Sequence, residues 1–251
     1  MVLESTGAFA VRTVGNPSTR GALGSDGRDG VLVAIPVRTP IVDVGDDISQ
    51  TVANAVRGIA HRGDVVVVSE TAVAVAQGRI VRAETVRPSR LAYALSRRAG
   101  AMATVNQPES LQLVIDRVGA WRVVYAGVRH MAGRVLGRRG DFYRALGEAV
   151  SAIDGYTGTL PPFERTIVLE PQDPAGVAGA LADCIGCEAA VVDVNDLGVA
   201  KVLGASRGVR PAAVEAALRT NPHGNGDEQT PVVVLAWRGA GTSPLLEDMR
   251  A

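Results

Sequence analysis

A run of mostly small and β-branched apolar residues at 187–194 leads directly into the polar turn Asn195-Asp196-Leu197-Gly198. Such a run is typical of a buried strand, so the chain is expected to build a sheet around it. A turn after a buried strand can be an ordinary solvated connection. Here, however, Asp193, Asn195 and Asp196 place three oxygen-bearing side chains within four residues, and oxygens of this kind bind hard cations or metal-bound phosphate. Both uses of the turn remain open at this point.

Other apolar runs and capping signals predict a mixture of strands and helices. Further strands are predicted at residues 31–37, 65–68, 121–128, 166–169 and 232–237. Helices are predicted to begin near residues 48, 89, 108, 174 and 211, after aspartate, serine or proline signals. Strands and helices do not alternate strictly. The pattern therefore favours an α+β fold, with mixed antiparallel sheets and packed helices, over a doubly wound parallel sheet.

The composition along the chain predicts one central domain. With 251 residues, 47% of them apolar, the chain is long enough to bury a sizeable core. Residues 1–29 and 238–251 are rich in glycine and polar residues without a sustained period. They are predicted to be a flexible leader and a flexible tail. Residues 30–237 are predicted to form a single domain.

Several classes of protein are disfavoured by what the sequence lacks. It has no apolar run of the roughly 20 residues that cross a bilayer and no signal-like start, which predicts a cytoplasmic protein without membrane contact. The formal net charge is zero, so no nucleic-acid partner is expected. Cys184 and Cys187 form a lone C-x-x-C without a second pair or a nearby histidine. We interpret them as reduced structural thiols, with redox or zinc chemistry as the alternative.

The positive charge is almost entirely arginine. Lys201 is the only lysine, and seven arginines lie between residues 117 and 144, among them Arg129. The planar guanidinium group binds phosphate and carboxylate through two parallel hydrogen bonds. The segment is therefore either a site for such groups or a solvated basic face.

Polar clusters also occur where other apolar segments stop. Ser69-Glu70-Thr71 follows a predicted buried strand, and its hydroxyl groups suit phosphate or a metal-bound water, with an ordinary turn as the alternative. Asp154 stands beside Gly155, and Glu228 lies in a polar loop at 221–231. A cation would compensate Asp154 and Asp196 if these carboxylates converged inside the fold. His223 in the same loop is predicted to be solvated, with a general base as the alternative. The P-loop, G-x-G-x-x-G, G-x-S-x-G and H-E-x-x-H motifs are absent.

Several ordered blocks resemble the gamma-glutamyl ligases of the deazaflavin coenzyme factor 420, over residues 31–237. In the first half they are Gly45-Asp46-Asp47, the segments 63–71 and 76–81, and Pro88-Ser89. Blocks similar to a divergent branch of the family follow: G-D-F-Y at 140–143, I-D-G at 153–155, N-D-L-G at 195–198, G-A-S at 204–206 and N-P-x-G-x-x-x-E-Q-T-P at 221–231.

The resemblance implies a gamma-glutamyl-ligase-like fold, an intertwined homodimer and a ligase that depends on GTP or ATP. Such a ligase activates a carboxylate as an acyl phosphate, and an amine then displaces phosphate to form an amide. Magnesium or manganese bridges the nucleotide phosphates. By position, the metal shell would be Asp154, Asn195, Asp196 and Glu228, with Asp154, Asp196 and Glu228 as the catalytic residues. The nucleotide would contact Ser69, Glu70, Thr71, Arg79 and Arg129.

The chain also departs from the family pattern in two places. Where the ligases carry two lysines after the second strand, this sequence has Glu70-Thr71 and Val75. Where they read D-T-x-G-R, it has Asn195-Asp196-Leu197-Gly198-Val199. The departures predict that the acceptor is a small acid other than factor 420. They leave two further interpretations open: a non-catalytic nucleotide or small-molecule binding protein, and a metal-dependent phosphohydrolase.

Overall fold

The computed structural model describes residues 12–14, 30–98, 106–135, 137, 141–147, 153–155, 162–194, 198–224 and 228–239. The chain forms two compact units, Met1–Gln77 with Pro171–Ala251, and Gly78–Glu170. Whether residues 30–237 form the single domain predicted from the sequence is not decided by this division into units, so that domain stays a prediction. Of the predicted leader, only residues 12–14 are described, and they form a strand. Of the predicted tail, residues 240–251 lie outside the described part.

The first unit is built on a six-stranded mixed sheet. Its strands are β1 (Arg12–Val14), β2 (Gly30–Val37), β3 (Val65–Ser69), β7 (Glu188–Val194), β8 (Ala200–Ala205) and β9 (Val232–Gly239). Their order across the sheet is β1-β2-β9-β3-β7-β8. Only β3 and β7 are parallel neighbours, and the other pairs are antiparallel.

The central strands of this sheet form the core because their side chains are apolar on both faces. The valines at positions 66–68 of β3 and 232–234 of β9 are fully buried. Each fully buried valine stabilises the fold by roughly 1.5–3 kcal/mol relative to an exposed one. The helices that cover the sheet are α1 (Ile48–Val56), α2 (Glu70–Ala76), α7 (Pro174–Ile185) and α8 (Pro211–Leu218).

The second unit combines a small antiparallel sheet with helices. Its strands are β4 (Ile80–Arg82), β5 (Ile153–Asp154) and β6 (Thr166–Leu169), in the order β4-β6-β5. Its helices are α3 (Arg90–Ser96), α4 (Pro108–Val118), α5 (Ala120–Val135) and α6 (Asp141–Leu146), with a 3₁₀ turn at Ala83–Thr85. Leu111 and Val114 of α4 pack with Val123 of α5, Ile153 and Ile167 in one apolar cluster.

The predicted α+β class with a mixed sheet is confirmed, but the strand predicted at residues 121–128 is wrong. This segment lies inside helix α5. Val123, Val124, Tyr125 and Val128 have high strand propensity, but Val123 and Ala126 are buried one helical turn apart, so packing in the helical form overrides the local preference. Among the described residues, no helix combines the length and the hydrophobicity needed to cross a bilayer.

Candidate functional site

The strand order of the first unit brings two of the predicted site segments, and the strand that leads into a third, to one edge of its sheet. β3 and β7 are parallel, with Ser69 opposite Val192, so both strands end at this edge. β9 runs antiparallel to β3, with Val232 opposite Val68, so the loop that carries Glu228 enters the sheet there. Beyond Val194 the chain continues into residues 195–197, which lie outside the described part. Loops at the carboxyl ends of parallel strands are a common place for ligand sites.

Backbone hydrogen bonds fasten the Glu228 loop to its neighbours at this edge. Ser69 donates its backbone N–H to the carbonyl of Pro231 over 2.8 Å, and Thr39 donates to the carbonyl of Gln229 over 3.3 Å. Arg38 donates from Nε to the backbone carbonyl of Glu228 over 2.9 Å. The end of β3 and the Glu228 loop are therefore held together. Sequence reasoning did not single out Arg38 or Thr39, because their partners lie about 190 residues away along the chain.

Ser69-Glu70-Thr71 begins helix α2 and is not a turn. The Ser69 side chain caps the helix, since its Oγ accepts the backbone N–H of Ala72 over 3.4 Å. Glu70 stands in the first turn, where a carboxylate is favoured by the helix dipole. All three side chains are half-buried. Their predicted contact with a nucleotide stays a prediction.

Position 75, where the sequence resemblance leads us to expect a lysine, holds a core residue. Val75 lies in α2 and is 5% exposed. It packs inside the first unit together with its neighbours in the helix, all of which are buried from Ala72 to Ala76. At this position the chain therefore has a buried apolar side chain in place of the charged one that the resemblance leads us to expect.

The loop around Glu228 is closed by His223 and Thr230. Nδ1 of His223 lies 3.1 Å from the backbone carbonyl of Thr230, and the Thr230 hydroxyl donates to the carbonyl of His223. His223 is buried, so the prediction of a solvated histidine is wrong. Loss of hydration on burial lowers its pKa to about 4, although the hydrogen bond to Thr230 acts in the opposite direction. Glu228 itself is exposed, and its carboxylate lies against Gly224, whose φ is +74°.

The polar turn that follows β7 is described in part. Asp193 lies within the strand, opposite Lys201 of β8. Partial burial raises the pKa of the Asp193 carboxyl, and the positive charge of Lys201 opposes this shift. Gly198 has a φ of +75°, a conformation that glycine adopts without strain. The predicted metal ligands Asn195 and Asp196 lie outside the described residues and stay predictions.

Asp154 belongs to the second unit, in the short strand β5. Its backbone pairs with Val168 of β6, and its side chain lies outside the described part. The adjacent Gly155 is buried, and a Cβ at this position would lie 2.5 Å from Oε1 of Gln107. Gln107 is itself buried and accepts the Ser110 hydroxyl over 3.0 Å. The glycine of the Asp154-Gly155 pair thus allows α4 to approach the strand closely.

The arginines predicted to bind nucleotide differ in their surroundings. Arg79 is half-buried and donates from Nε to the carbonyl of Glu170 over 3.1 Å. Arg129 is exposed on α5. In the same arginine-rich region, Arg117 pairs with the Glu170 carboxylate at 3.6 Å and Arg144 pairs with buried Asp141 at 2.7 Å. Part of this region is therefore structural, and the nucleotide contacts of Arg79 and Arg129 stay predictions.

The donor set proposed for magnesium or manganese is made of carboxylate and amide oxygens, which are the ligands these ions prefer. Of its four members, only Glu228 has a described side chain. The described side chains contain no cluster of three or more histidine, cysteine or acidic groups that could hold a metal ion. Cys184 and Cys187 are free thiols. Burial, and secondarily Asp64, raises the pKa of the Cys187 thiol, as expected for a structural cysteine.

Comparison with models of protein families gives a match to the first half of the chain. Residues 36–137 match the family model described as F420-0:Gamma-glutamyl ligase. The family resemblance found in the sequence blocks is thereby confirmed for residues 36–137, and the resemblance of the later blocks stays a prediction. The matched segment contains Ser69-Glu70-Thr71, Arg79 and Arg129, and it ends before Asp154. A search of the curated proteins found no match to the chain.

Proposed function

We propose that this chain, whose residues 36–137 match the F420-0:Gamma-glutamyl ligase family model, joins a small-molecule carboxylate to an amino acid or another amine. A carboxylate oxygen attacks the γ-phosphorus of GTP or ATP and displaces the nucleoside diphosphate. The amine nitrogen then attacks the acyl carbon, phosphate leaves, and the amine loses a proton. The observation that carries the proposal is the meeting of the Ser69 end of β3 and the Glu228 loop at one edge of the sheet.

The proposed roles of the residues follow from their chemistry. Asp154, Asn195, Asp196 and Glu228 would hold magnesium or manganese, which neutralises charge on the phosphates when bound. Glu228 is suited to this role because its carboxylate is exposed while hydrogen bonds to its backbone hold the loop in place. Asp154, Asp196 and Glu228 would orient the reacting phosphate through the metal.

The nucleotide side of the proposal uses hydroxyl and guanidinium groups. Ser69 and Thr71 would donate to phosphate oxygens, and Arg79 and Arg129 would pair with them. Glu70 would act through a cation, since a bare carboxylate repels phosphate. The proposal also includes a gamma-glutamyl-ligase-like fold, a homodimer and a cytoplasmic location, with a small acid other than factor 420 as the acceptor.

A binding protein without turnover is the second candidate, and Val75 favours it. A buried valine cannot supply the positive charge that a lysine offers to a phosphate. A protein that retained the fold would still bind a nucleotide through its backbone and hydroxyl groups. It would not accelerate phosphate transfer.

The test is phosphate release by the purified protein with GTP or ATP, magnesium or manganese, and a panel of acids and amines. We expect release that requires both an acid and an amine, with the amide identified by mass spectrometry. Release without an amine would indicate a phosphohydrolase, and nucleotide binding without release would indicate a binding protein. If calorimetry detected no binding of either nucleotide in the presence of metal, the ligase proposal would be overturned.

Replacement of Asp154 by asparagine is expected to weaken Mn²⁺ binding at least about tenfold, because a ligating carboxylate loses its charge while its size is retained. Electron paramagnetic resonance of free Mn²⁺ measures this affinity directly. Asp116→Asn is the matched control, since Asp116 is an exposed carboxylate of the same unit that bonds Gln112. Equal Mn²⁺ affinity in D154N, D116N and the unchanged protein would remove Asp154 from the metal shell.

A further inference from the structure

Helix α5 is apolar on two opposite faces. One face packs into the second unit, where Val123 and Ala126 are fully buried. The opposite face carries large apolar side chains that are 42% exposed at Val124 and up to 69% exposed at Trp121. We call these residues the α5 stripe: Trp121, Val124, Tyr125, Val128 and Met131. A helix that is apolar nearly all round is normally buried on every side.

The spacing of this exposed face is that of a helix that pairs with another helix. Trp121, Tyr125, Val128 and Ala132 follow one another at intervals of four, three and four residues. Alternation of these intervals places side chains along one seam, as in coiled coils. The seam is continuous with a groove of about 220 Å³ that Trp121 and Tyr125 share with Ala145 and Leu146 of α6. A side chain from a facing helix fits such a groove as a knob fits a hole.

The size of the stripe is that of a functional patch. Its exposed side-chain area is on the order of 500 Å², toward the upper end of the roughly 300–600 Å² of the largest apolar patch on a typical monomer, which is often functional. Two such faces together would bury about 1,000 Å², the lower bound for a specific interface. Helix α5 contains tryptophan, tyrosine, methionine and several arginines. It contains no lysine and no acidic residue. This composition is typical of the core of a protein interface.

The order of side chains along α5 makes the stripe complementary to itself. The aromatic Trp121 and Tyr125 lie toward its N-terminal half, and the aliphatic Met131 and Ala132 lie toward its C-terminal half. If two copies of α5 run antiparallel about a twofold axis near Val128, the aromatic half of each copy meets the aliphatic half of the other. A twofold contact of this kind is the commonest one in homo-oligomers. Arg122 stacks on the Trp121 ring at 5.4 Å, beside the seam.

We propose that the α5 stripe is a docking surface for a second copy of this chain, with the two α5 helices antiparallel and Val128 at the centre. This inference rests on the homodimer included in the proposed function and assigns a contact surface to it. It does not depend on the ligase reaction, so its test and the phosphate-release test can fail separately.

The first test is sedimentation velocity of the full chain over a broad range of concentrations. We expect a dimer whose dissociation constant rises at least about a hundredfold in Val128→Glu, because the new carboxylate would be buried at the contact without a partner. Val44→Glu and Val199→Glu are the controls. These valines are similarly exposed, at 52% and 55%, but lie in the first unit. Both variants should remain dimers, and circular dichroism checks that V128E is folded.

A second test does not require a destabilising charge. In a background with Cys184→Ser and Cys187→Ser, Val128→Cys should form a disulfide-linked dimer on oxidation, because residues on the twofold axis meet their own copies. Val199→Cys should not cross-link. A monomeric unchanged protein would overturn the inference, and so would a V128E variant that is still a dimer. Binding of the monomer to phosphatidylglycerol vesicles would instead assign the stripe and its arginines to an anionic membrane surface.

Discussion

Replacement of Gly204 by alanine is expected to lower the free energy of unfolding by roughly 3 kcal/mol, at the upper end of the usual cost of overpacking a core. A Cβ at this position would lie 2.2 Å from the carbonyl carbon of Pro174 and 2.3 Å from the backbone nitrogen of Ala175. These are backbone atoms at the start of α7, which cannot rotate away. Asp173 fixes this helix end further, since its carboxylate accepts the backbone N–H of Gly176 over 2.9 Å. Relief of the clash therefore requires α7 and β8 to separate.

Gly179→Ala is the matched control for this prediction, because Gly179 lies inside the same helix with no atom within 4 Å of an added Cβ. The free energy of unfolding should rise by up to about 1 kcal/mol, since alanine favours the helical conformation more than glycine does. Urea denaturation followed by circular dichroism measures both variants. A G204A protein as stable as the unchanged protein would show that β8 and α7 are not in tight contact.

Gly204 also explains one of the sequence blocks that resemble the gamma-glutamyl ligases. In the G-A-S block, Gly204 permits the close approach of α7, and the Ser206 hydroxyl accepts the backbone N–H of Ala189 over 3.0 Å. Glu188 accepts the backbone N–H of Gly208 over 3.0 Å and the Ser206 hydroxyl. The block therefore joins β7 to β8 and positions the strand that leads into residues 195–197. The G-A-S block therefore contributes to the proposed site by holding β7 in place and not by contacting a ligand.

The elements with strong local signals were predictable from the sequence. β3 is a run of four valines, and α7 begins with an aspartate cap and a proline. α5 was not predictable in this way, because its valines and aromatic residues favour a strand locally and its helical form depends on packing against α4 and α6. Because α5 also has apolar residues on its exposed face, its sequence lacks the alternation of apolar and polar residues that usually identifies a surface helix.

The candidate site was predictable as separate segments but not as an arrangement. Nothing local in the sequence indicates that β9 inserts between β2 and β3, yet this order brings the loop that carries Glu228 beside Ser69. His223 of the same loop is buried, although it looks like a solvated loop residue when only its polar neighbours are considered. Strand order is set by contacts between residues far apart in sequence, and these contacts do not leave a periodic pattern.

The stability of the protein is expected to fall by about 3 kcal/mol as the pH falls from 6.5 to 4 because of His223 alone, at 1.36 kcal/mol for each pH unit between the two pKa values. The pKa of this histidine is lowered to about 4 in the folded protein and returns to 6.5 on unfolding. Between these values the unfolded chain binds a proton that the folded chain does not. The contribution of neutral His223 is therefore complete above pH 6.5, declines below it and is lost below about pH 4.

The geometry explains why the folded protein resists this proton. The Thr230 carbonyl can only accept a hydrogen bond, so Nδ1 of His223 carries the hydrogen, and the proton would have to enter at Nε2. Nε2 is buried and has no hydrogen-bond partner among the described residues. A charge at this nitrogen would lose its hydration without a compensating contact. The folded loop therefore disfavours protonation of His223, and acid shifts the equilibrium toward the unfolded chain.

His223→Gln separates this effect from the general action of acid, because glutamine can donate to the Thr230 carbonyl and does not titrate. Urea denaturation at several values between pH 7 and pH 4 should give a shallower loss of stability for H223Q than for the unchanged protein. His61→Gln is the matched control, because it removes a histidine whose side chain is 66% exposed. Equal slopes for the unchanged protein and H223Q would mean that His223 takes up its proton in the folded loop, which would then have to open to water while the sheet remains intact.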